Sequence, residues 1–373
     1  YPLIDGVVNG CPSHLLEPSR LQKIQYSEDF SQGYWTKTQS TISPNSIISP
    51  NGSINADKLQ TNTSSAEHSV LSGNVSFVSG ESYTVSLFAK ASEKTFLFIG
   101  WNSAGFGTPA TSFLDLTTGE YSVGTGQTIT VTKFPNGWYK FTTTRTASAT
   151  VSSTIRIGLC DSILTSSTTG QNTTDGIYIW GAQVEQGSYP TSYIPNYGTS
   201  AGVTRSAETA NGAGDASTFN GSEGVLFAEI SALANDSTTR RVNLRNSSGS
   251  NQIRIEYGSS SNLITAVLYN GSNQAVINGP SYNVIDSNKI AFKYKENDFA
   301  LWINGIKVGT DSIGATIGAG ILDRIDLSVS NYFYGNTKQI QYFDSALNDS
   351  ELETLTSWTS FTDMANSQLY SIK

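Results

Sequence analysis

The chain has 373 residues and a formal net charge of −8, and only 14% of its residues are charged. The length indicates two domains, and average globular chains contain roughly 25% charged residues, so Ser, Thr, Asn and Gln must supply much of the polar surface here. The sequence has no block of basic residues and no run of about 18 apolar residues, so we expect neither nucleic-acid binding nor insertion into a membrane.

Residues 1–25 show no hydrophobic periodicity, because glycine and proline interrupt the segment repeatedly. We predict an N-terminal extended connector over residues 1–25, packed on a neighbouring chain. Cys11 lies in this segment, and Cys160 follows a strand-like run. Two cysteines do not make a disulfide scaffold, so two free thiols are favoured, while a bond between Cys11 and Cys160 stays open.

From residue 26 to residue 205 the pattern is that of β-strands separated by turns. Tyr83–Ala89 alternates in polarity, and Thr95–Trp101 is a continuous apolar run, as in a strand buried on both faces. Asn136–Gly137 precedes another strand, and the strand Ile177–Trp180 leads into a glycine- and proline-rich exit. These features predict a β-sandwich domain over residues 26–205.

A second β domain follows a segment rich in small and polar residues. That segment predicts a linker over residues 206–218, and strands resume over residues 219–357. Asn270–Gly271 and Asn304–Gly305 each lie between two strand-like runs, and Asn-Gly supplies the positive φ angles that a tight hairpin needs. The second domain is therefore expected to be antiparallel.

One helix is well signalled near the C-terminus. Asn348 can cap it, and Glu351, three residues later, completes a capping-box pattern. We predict a short helix over about residues 349–357, followed by an irregular C-terminal tail over residues 358–373 that packs on this domain or on another subunit.

The first half of the chain resembles tailed-phage fibre and related virion proteins, in which a carbohydrate-binding-module-like jelly roll is common. The order of several separate motifs carries the resemblance, and Arg20–Ile24 departs from it. The motifs are Gly10–Pro18, Tyr26–Phe30, Pro135–Phe141, Ile177–Pro195 and Val203–Arg205.

The second half resembles the concanavalin A-like lectin or laminin-G sandwich. The matching parts are Ala300–Gly309, which contains an Asn-Gly hairpin, and Gln339–Leu352, a strand followed by a short helix. The resemblance implies a fold and a role in recognition but no particular sugar. The expected fold class is thus all-β, with two antiparallel jelly-roll-like sandwiches in tandem and one short C-terminal helix.

Patterns for catalysis and metal binding are missing from the sequence. The only histidines, His14 and His68, are far apart, and no His-Glu-x-x-His motif occurs. Gly198–Gly202 matches a nucleophile elbow only in spacing, since a proline-rich segment precedes it and no helix follows. Asp323 and Asp326 would face opposite sides of a strand. We therefore predict no enzyme activity, no catalytic residue, no metal site and no cofactor.

Sugar binding requires less: an aromatic ring for the apolar face of the sugar and planar amides for its hydroxyls. Two segments offer both, namely Trp101 with Asn102, and Asn331 with Tyr332 and Tyr334. Each of these aromatic residues also fits a buried structural position, which the sequence leaves open. The residues predicted to belong to the core are Trp138, Trp180 and Trp302.

We interpret the chain as a non-enzymatic virion fibre or appendage protein that contacts host cell-surface glycans. The expected partners are other virion proteins and host glycans, and the expected assembly is a homo-oligomer, a trimer, because fibre proteins repeat around an axis. Two alternatives stay open. One is a purely structural head or tail decoration protein, and the other is an accessory part of a polysaccharide depolymerase.

Overall fold

The computed structural model describes residues 13–168, 172–360 and 362–363 in full, and the backbone of Leu3–Ile4 and Val7–Val8. Cys11 lies outside the described residues. The described chain divides into two compact units. The N-terminal unit contains residues 19–168 and 172–206, and the C-terminal unit contains residues 13–18 and 207–363 without residue 361. Both units are antiparallel β-sandwiches, which confirms the all-β fold class.

One face of the N-terminal sandwich is a six-stranded antiparallel sheet, here called the first sheet. Its inward side chains include Val85 and Leu87, which are fully buried, while Ser86 and Phe88 point to the outer face. In spatial order its strands are Gln127–Lys133, Trp138–Thr146, Ser82–Ala91, Gly176–Gln186, Ile54–Thr61 and Ser40–Ile48.

The opposite face of this sandwich is a second six-stranded sheet, here called the second sheet. Leu97 and Ile99 of this sheet pack against Val85 and Leu87 of the first, so the core lies between the two sheets. In spatial order its strands are Tyr121–Ser122, Ala110–Asp115, Phe96–Trp101, Ile155–Cys160, His68–Leu71 and Thr36–Thr38. The unit also contains a short helix, Ser103–Phe106, a 3-10 turn, Pro135–Gly137, and a pair of short strands, Val75–Phe77 and Val151–Ser153.

The C-terminal sandwich also has two antiparallel sheets, with Leu226 and Ile230 of the third sheet packing against Val242 and Ile253 of the fourth. The third sheet has the order Ile306–Asp311, Phe299–Ile303, Asn288–Lys295, Glu223–Ala232, Gly335–Phe343 and His14–Leu16. The fourth has the order Asn273–Ser281, Leu263–Asn270, Asn251–Tyr257, Arg240–Arg245 and Arg324–Asp326.

The local signals in the C-terminal unit are confirmed. Gly271 and Asn304 adopt φ angles of 71° and 50°, and both hairpins form where Asn-Gly predicts them. The helix runs over Asp349–Thr356 with a complete capping box, in which the Asn348 side chain accepts from the Glu351 amide and the Glu351 carboxylate accepts from the Asn348 amide. Neither described helix has the length and hydrophobicity that a membrane crossing requires.

Part of the segment predicted to be an extended connector is hydrogen-bonded into strands of this chain. His14–Leu16 pairs with Gly335–Thr337 at the edge of the third sheet, and Leu16 is only 1% exposed in the core of the C-terminal unit. Arg20–Gln22 pairs with Val203–Arg205 in the N-terminal unit. Glycine and proline interrupt the hydrophobic periodicity of these segments. The segments nevertheless pair with strands that are distant in sequence.

Cys160 is a free and fully buried thiol on the outer side of the second sheet, packed against Phe98 and Phe113. Burial raises the pKa of this thiol to about 12. Cys160 therefore behaves as a small apolar residue, because the reactive thiolate is disfavoured at neutral pH.

Replacing the buried edge-strand leucine tests the role of residues 14–16. We expect Leu16→Ala to cost about 2–5 kcal/mol, because it removes a buried side chain and leaves a cavity. Hydrogen exchange should then quicken in the partner strand Gly335–Phe343. His14→Ala, on the same strand but exposed, is the matched control. Equal protection in both variants would show that the C-terminal sandwich does not depend on this strand.

Candidate functional site

Trp101 lies in the core of the N-terminal unit rather than on its surface. Its side chain is 1% exposed, its Nε1 donates to the Thr143 hydroxyl at 3.0 Å, and its ring lies edge-to-face against Phe106 with 4.6 Å between centroids. A ring enclosed in this way has no face for a sugar. Trp101 therefore occupies a buried structural position, because the end of the strand Phe96–Trp101 is buried on both faces.

Asn102 performs a local structural task at the exposed N-terminus of the short helix. Its side-chain oxygen accepts from the Ala104 amide at 3.0 Å, which caps Ser103–Phe106. Asn102 and the edge of Trp101 nevertheless both line a small pocket, described further below. The two predicted residues thus lie together, but the tryptophan contributes a wall and not a platform.

The second predicted segment forms an aromatic pair in the C-terminal unit. The rings of Tyr332 and Tyr334 are stacked, with 5.2 Å between centroids and 24° between planes. Both side chains are half-buried, and Tyr334 packs partly on the core. The side-chain oxygen of Asn331, with the amide oriented towards the guanidinium, accepts from Arg241 Nη1 at 2.8 Å and Nη2 at 3.2 Å. The structure brings these three residues together, but Asn331 already has an arginine as its partner.

An aromatic cluster on the outer face of the first sheet is the largest feature that the sequence did not assign. Trp138 and Trp180 are each 4% exposed, so they are buried as predicted, and Phe88 is 7% exposed beside them. They are buried outside the sandwich interior, however, beneath Phe134 and Tyr193. Trp180 and Tyr193 have 4.6 Å between ring centroids, and Phe88 and Phe134 have 5.4 Å.

This cluster forms part of a cleft that combines apolar and polar groups. One wall comes from the turn at the end of the strand Ser40–Ile48, and the other from the 3-10 turn Pro135–Gly137. Phe134 is half-buried and Asn136 is exposed, so both can be reached from solvent. The described residues that line this cleft, here called the aromatic cleft, are Ile47, Ile48, Ser49, Pro50, Gly52, Lys90, Phe134, Pro135, Asn136 and Trp138.

Backbone conformation positions the second wall. Asn136 has a φ of 63° and Gly137 a φ of 79°, which asparagine and glycine tolerate better than other residues. The Phe134 amide donates to the Trp138 carbonyl at 2.7 Å and closes the turn. Asn136 is thereby held at the rim, between the two aromatic residues that precede and follow it.

A buried carboxylate positions the first wall. Asp57 is 1% exposed and accepts from the amides of Phe30 at 2.8 Å and Asn45 at 2.9 Å. Asn45 has a φ of 51°, and the pairing register shifts between Ser43 and Ile47. Asp57 therefore fixes the bulge that leads into Ile47 and Ile48, and Ile48 is left 56% exposed at the cleft.

The sequence contained one signal for this cleft. Asn136–Gly137 is predicted to precede a strand, and the strand does begin at Trp138. The contribution of this turn to a cleft wall depends, however, on a distant hairpin. No periodicity relates residues 47–52 to residues 134–138, so only the fold reveals that they meet.

The aromatic cleft has few charged side chains. Within the described ranges, no three His, Cys, Asp or Glu side chains form a group that could hold a metal ion. Lys90 is the charged residue among those that line the aromatic cleft. The arrangement is suited to binding an uncharged ligand by ring contact and hydrogen bonds.

No protein-family model and no curated protein sequence matches the chain. Among solved structures, the chain is similar to the CBM40 module of the Ruminococcus gnavus IT-sialidase, with 16% sequence identity, coverage of 40% of this chain and 97% of that chain, and a TM-score of 0.33. It is also similar to the LG1-3 region of the laminin alpha2 chain, with 13% identity, coverage of 78% and 66%, and a TM-score of 0.27. Similarity to domains LG4-5 of the mouse laminin alpha1 chain has 10% identity, coverage of 93% and 96%, and a TM-score of 0.23. Similarities this low carry no argument about what the chain binds.

The pH dependence of stability tests the role of Asp57. Burial raises the pKa of this carboxyl to about 6 from an ordinary value of 3.8, despite its two amide donors. The folded state therefore binds the proton more tightly than the unfolded state, and stability falls as pH rises from about 4 to about 6. Relative to Asp57→Asn, the parent chain should lose roughly 1–2 kcal/mol of unfolding free energy between pH 4 and pH 7, allowing for solvent screening.

The measurement is denaturant unfolding of both chains across that pH range. The two backbone amides donate to different oxygens of Asp57, and asparagine replaces one of these oxygens with an NH2 donor, so a constant loss at all pH values is expected in addition. A difference between the two chains that does not change with pH would contradict the raised pKa.

Proposed function

We propose that this chain is a non-enzymatic carbohydrate-binding protein and that the aromatic cleft of the N-terminal unit binds a neutral glycan. The observation that carries the proposal is the composition of the cleft. Phe134 and the edge of Trp138 supply aromatic surface, while Asn136 supplies an exposed amide. An aromatic surface suits the apolar face of a pyranose, and neutral polar groups pair with its hydroxyls without the cost of burying a charge.

The charge distribution favours a neutral ligand over an acidic one. The chain carries 30 acidic and 22 basic residues, so an anionic glycan would approach an unfavourable overall field. One lysine at the cleft is also a small electrostatic contribution in physiological salt, where the Debye length is about 8 Å. Binding should therefore change little with ionic strength.

Tyr332 is a second, weaker candidate for the glycan-binding site. Its ring is half-buried and stacked on Tyr334, beside Asn331, so one face is already occupied. A sugar there would meet a ring whose position is fixed, which limits the entropy lost on binding. The amide of Asn331 would first have to share its oxygen with Arg241, and for this reason the aromatic cleft is the stronger candidate.

We place the protein on the surface of a virion, as part of a fibre or appendage whose partners are host surface glycans and other virion proteins. The weakly charged composition and the order of motifs such as Tyr26–Phe30 and Pro135–Phe141 support this placement. The second candidate, a decoration protein that serves assembly, draws support from exposed apolar side chains such as Ile48, which is 56% exposed, and Ile54, which is 66% exposed.

Affinity at one site should be modest, and multivalency should raise it. A shallow cleft that holds one or two sugar units is expected to bind near millimolar, or about −4 kcal/mol. Several copies on one particle raise the avidity by about 10² or more where the geometry permits. Weak single sites are therefore consistent with firm attachment.

Removing the reachable ring at the cleft tests the binding proposal. We expect Phe134→Ala to weaken binding of a neutral oligosaccharide at least tenfold, because the stacking surface is lost. The measurement is a glycan array followed by calorimetric titration with the oligosaccharide that binds most tightly. Tyr121→Ala, which removes an aromatic ring that is 50% exposed and outside the cleft, is the matched control and should bind as the parent does.

Two results would contradict this assignment. Binding of the Phe134→Ala chain at parental affinity would exclude the aromatic cleft, and loss of binding in Tyr332→Ala alone would transfer the site to the C-terminal unit. Absence of any glycan binding by the parent would favour the decoration protein.

The proposed homo-oligomer has its own test. For a trimer, multi-angle light scattering at micromolar concentration should give three times the chain mass of 40.0 kDa. A mass of one chain, measured for the full sequence, would contradict the fibre assembly.

A further inference from the structure

A second pocket of the N-terminal unit lies where the strand Phe96–Trp101 ends and the short helix Ser103–Phe106 begins. It belongs to the second sheet, whereas the aromatic cleft belongs to the first. Its polar groups are Asn102, Ser103, Thr154 and Arg156, and its apolar surface comes from Leu71, Trp101 and Pro109 around Gly100. We call it the Arg156 pocket.

The guanidinium of Arg156 lies directly over the backbone of Gly100. A Cβ atom at Gly100 would be 2.9 Å from both Nε and Nη2 of Arg156, which is closer than real Cβ contacts allow. Gly100 is paired within the strand, so a side chain there would displace the guanidinium of Arg156 without straining the backbone. The absence of a side chain thus creates the recess in which the guanidinium lies.

Arg156 is held in one orientation by three neighbours. Its Nη1 is 2.9 Å from Glu67 Oε2, its Nη2 donates to the Thr111 hydroxyl at 3.2 Å, and its guanidinium carbon is 5.4 Å from the centre of the Phe98 ring. Ser69 donates to the other carboxylate oxygen of Glu67 at 2.8 Å. Planar donors and a carboxylate acceptor are therefore fixed side by side.

This pair remains accessible from solvent. The side chains of Arg156 and Glu67 are 32% and 25% exposed. Because the two charges compensate each other, the site presents donors and acceptors without a net charge. Glu67 neutralises Arg156 from outside the pocket lining, so a ligand with adjacent hydroxyls pairs one hydroxyl with the guanidinium and the next with the hydroxyl of Ser103 or Thr154.

We propose that the Arg156 pocket is a second saccharide subsite and that it takes a neutral pyranose through two adjacent hydroxyls. Leu71 and Pro109 provide the apolar contact, and Ser103 and Thr154 provide further hydroxyls at the rim. The ligand class rests on the proposed carbohydrate-binding function, but the pocket shares no lining residue with the aromatic cleft. Each chain would then hold two independent sites.

A carboxylated sugar fits this pocket less well. Its carboxylate would have to displace or approach Glu67, which already occupies Nη1 of Arg156. Like charges at such short range are unfavourable in a partly buried site. Neutral oligosaccharides are therefore expected to bind, and sialylated ones are expected to bind more weakly.

The test uses Gly100→Ala, which displaces the guanidinium without removing its charge. Gly33→Ala is the matched control, because a Cβ atom there meets nothing within 4 Å. The full-length parent, both glycine variants, Phe134→Ala and Arg156→Gln are titrated calorimetrically with lactose, cellotetraose, maltotetraose, xylotetraose and 3′-sialyllactose. Thermal unfolding of each chain verifies the fold, and Arg156→Gln keeps the test valid where Gly100→Ala is unstable.

The expected result is two sites per parent chain for at least one neutral oligosaccharide. Gly100→Ala and Arg156→Gln should each lose one site, with at least a tenfold loss of affinity there, while Gly33→Ala keeps both. Parental binding by folded Gly100→Ala or Arg156→Gln overturns the proposal, as does binding of 3′-sialyllactose in preference to every neutral sugar. Loss of binding in Phe134→Ala alone leaves the aromatic cleft standing and removes the Arg156 pocket, whereas loss in Gly100→Ala and Arg156→Gln alone does the reverse. Absence of binding to all probes rejects both.

Discussion

The first sheet buries side chains on both of its faces, and the aromatic cleft depends on this double burial. On the inner face, Ile177 and Ile179 are fully buried in the sandwich core. On the outer face, Trp180 packs under Tyr193, which belongs to the exit segment that crosses the sheet. Because the outer aromatic cluster is already packed, Phe134 and Trp138 are held in fixed positions next to the open cleft, and little order remains to be imposed when a ligand arrives.

Hydrogen bonds to buried polar side chains hold the crossing segment in place. Gln22 donates to the carbonyls of Ala182 and Ile194 and accepts from the amide of Val184, so one side-chain amide joins the strand Gly176–Gln186 to the exit segment. Glu185, which is 1% exposed, accepts from the amide and hydroxyl of Thr191 and has Arg20 3.4 Å away. Burial raises the pKa of Glu185, and the arginine opposes that rise. Gln22 and Glu185 each bond more than one group, so replacing either side chain would leave buried donors or acceptors unpaired.

The third sheet of the C-terminal unit also buries side chains on its outer face. Trp302 is 5% exposed on the outer face of the third sheet. Leu352 of the C-terminal helix covers both Trp302 and Phe227, a residue of the same sheet. The helix is too short to be stable alone, so packing on this tryptophan and the capping box together determine its position. Sandwich sheets with an apolar outer face need such a cover, and both units supply one.

Local chemistry was readable from the sequence, and distant pairing was not. The Asn304–Gly305 hairpin and the helix cap depend on neighbouring residues, so composition and spacing sufficed. The sequence left open whether Trp101 is exposed or buried, because in a strand buried on both faces alternation does not distinguish an exposed end from a buried one. The structure shows the buried position, with Trp101 1% exposed. The pairing of His14–Leu16 with Gly335–Thr337 joins residues at opposite ends of the chain and leaves no local pattern.

The same limit applies to the candidate sites. The aromatic cleft is built from three separate stretches, at residues 47–52, at Lys90 and at residues 134–138. The Arg156 pocket likewise combines Leu71, the end of the strand Phe96–Trp101, and Arg156. Sequence reasoning found aromatic and amide residues of the right type, but which of them share a surface follows from strand order and from the bulge that Asp57 stabilises.

Hydrogen exchange with and without a bound neutral oligosaccharide is the most direct test that the N-terminal unit binds glycan in the aromatic cleft. Exchange is expected to slow in residues 45–52 and 134–138, since the ligand would lie between these two walls. Protection confined to Asn331–Tyr334, or no protection anywhere at saturating ligand, would contradict it.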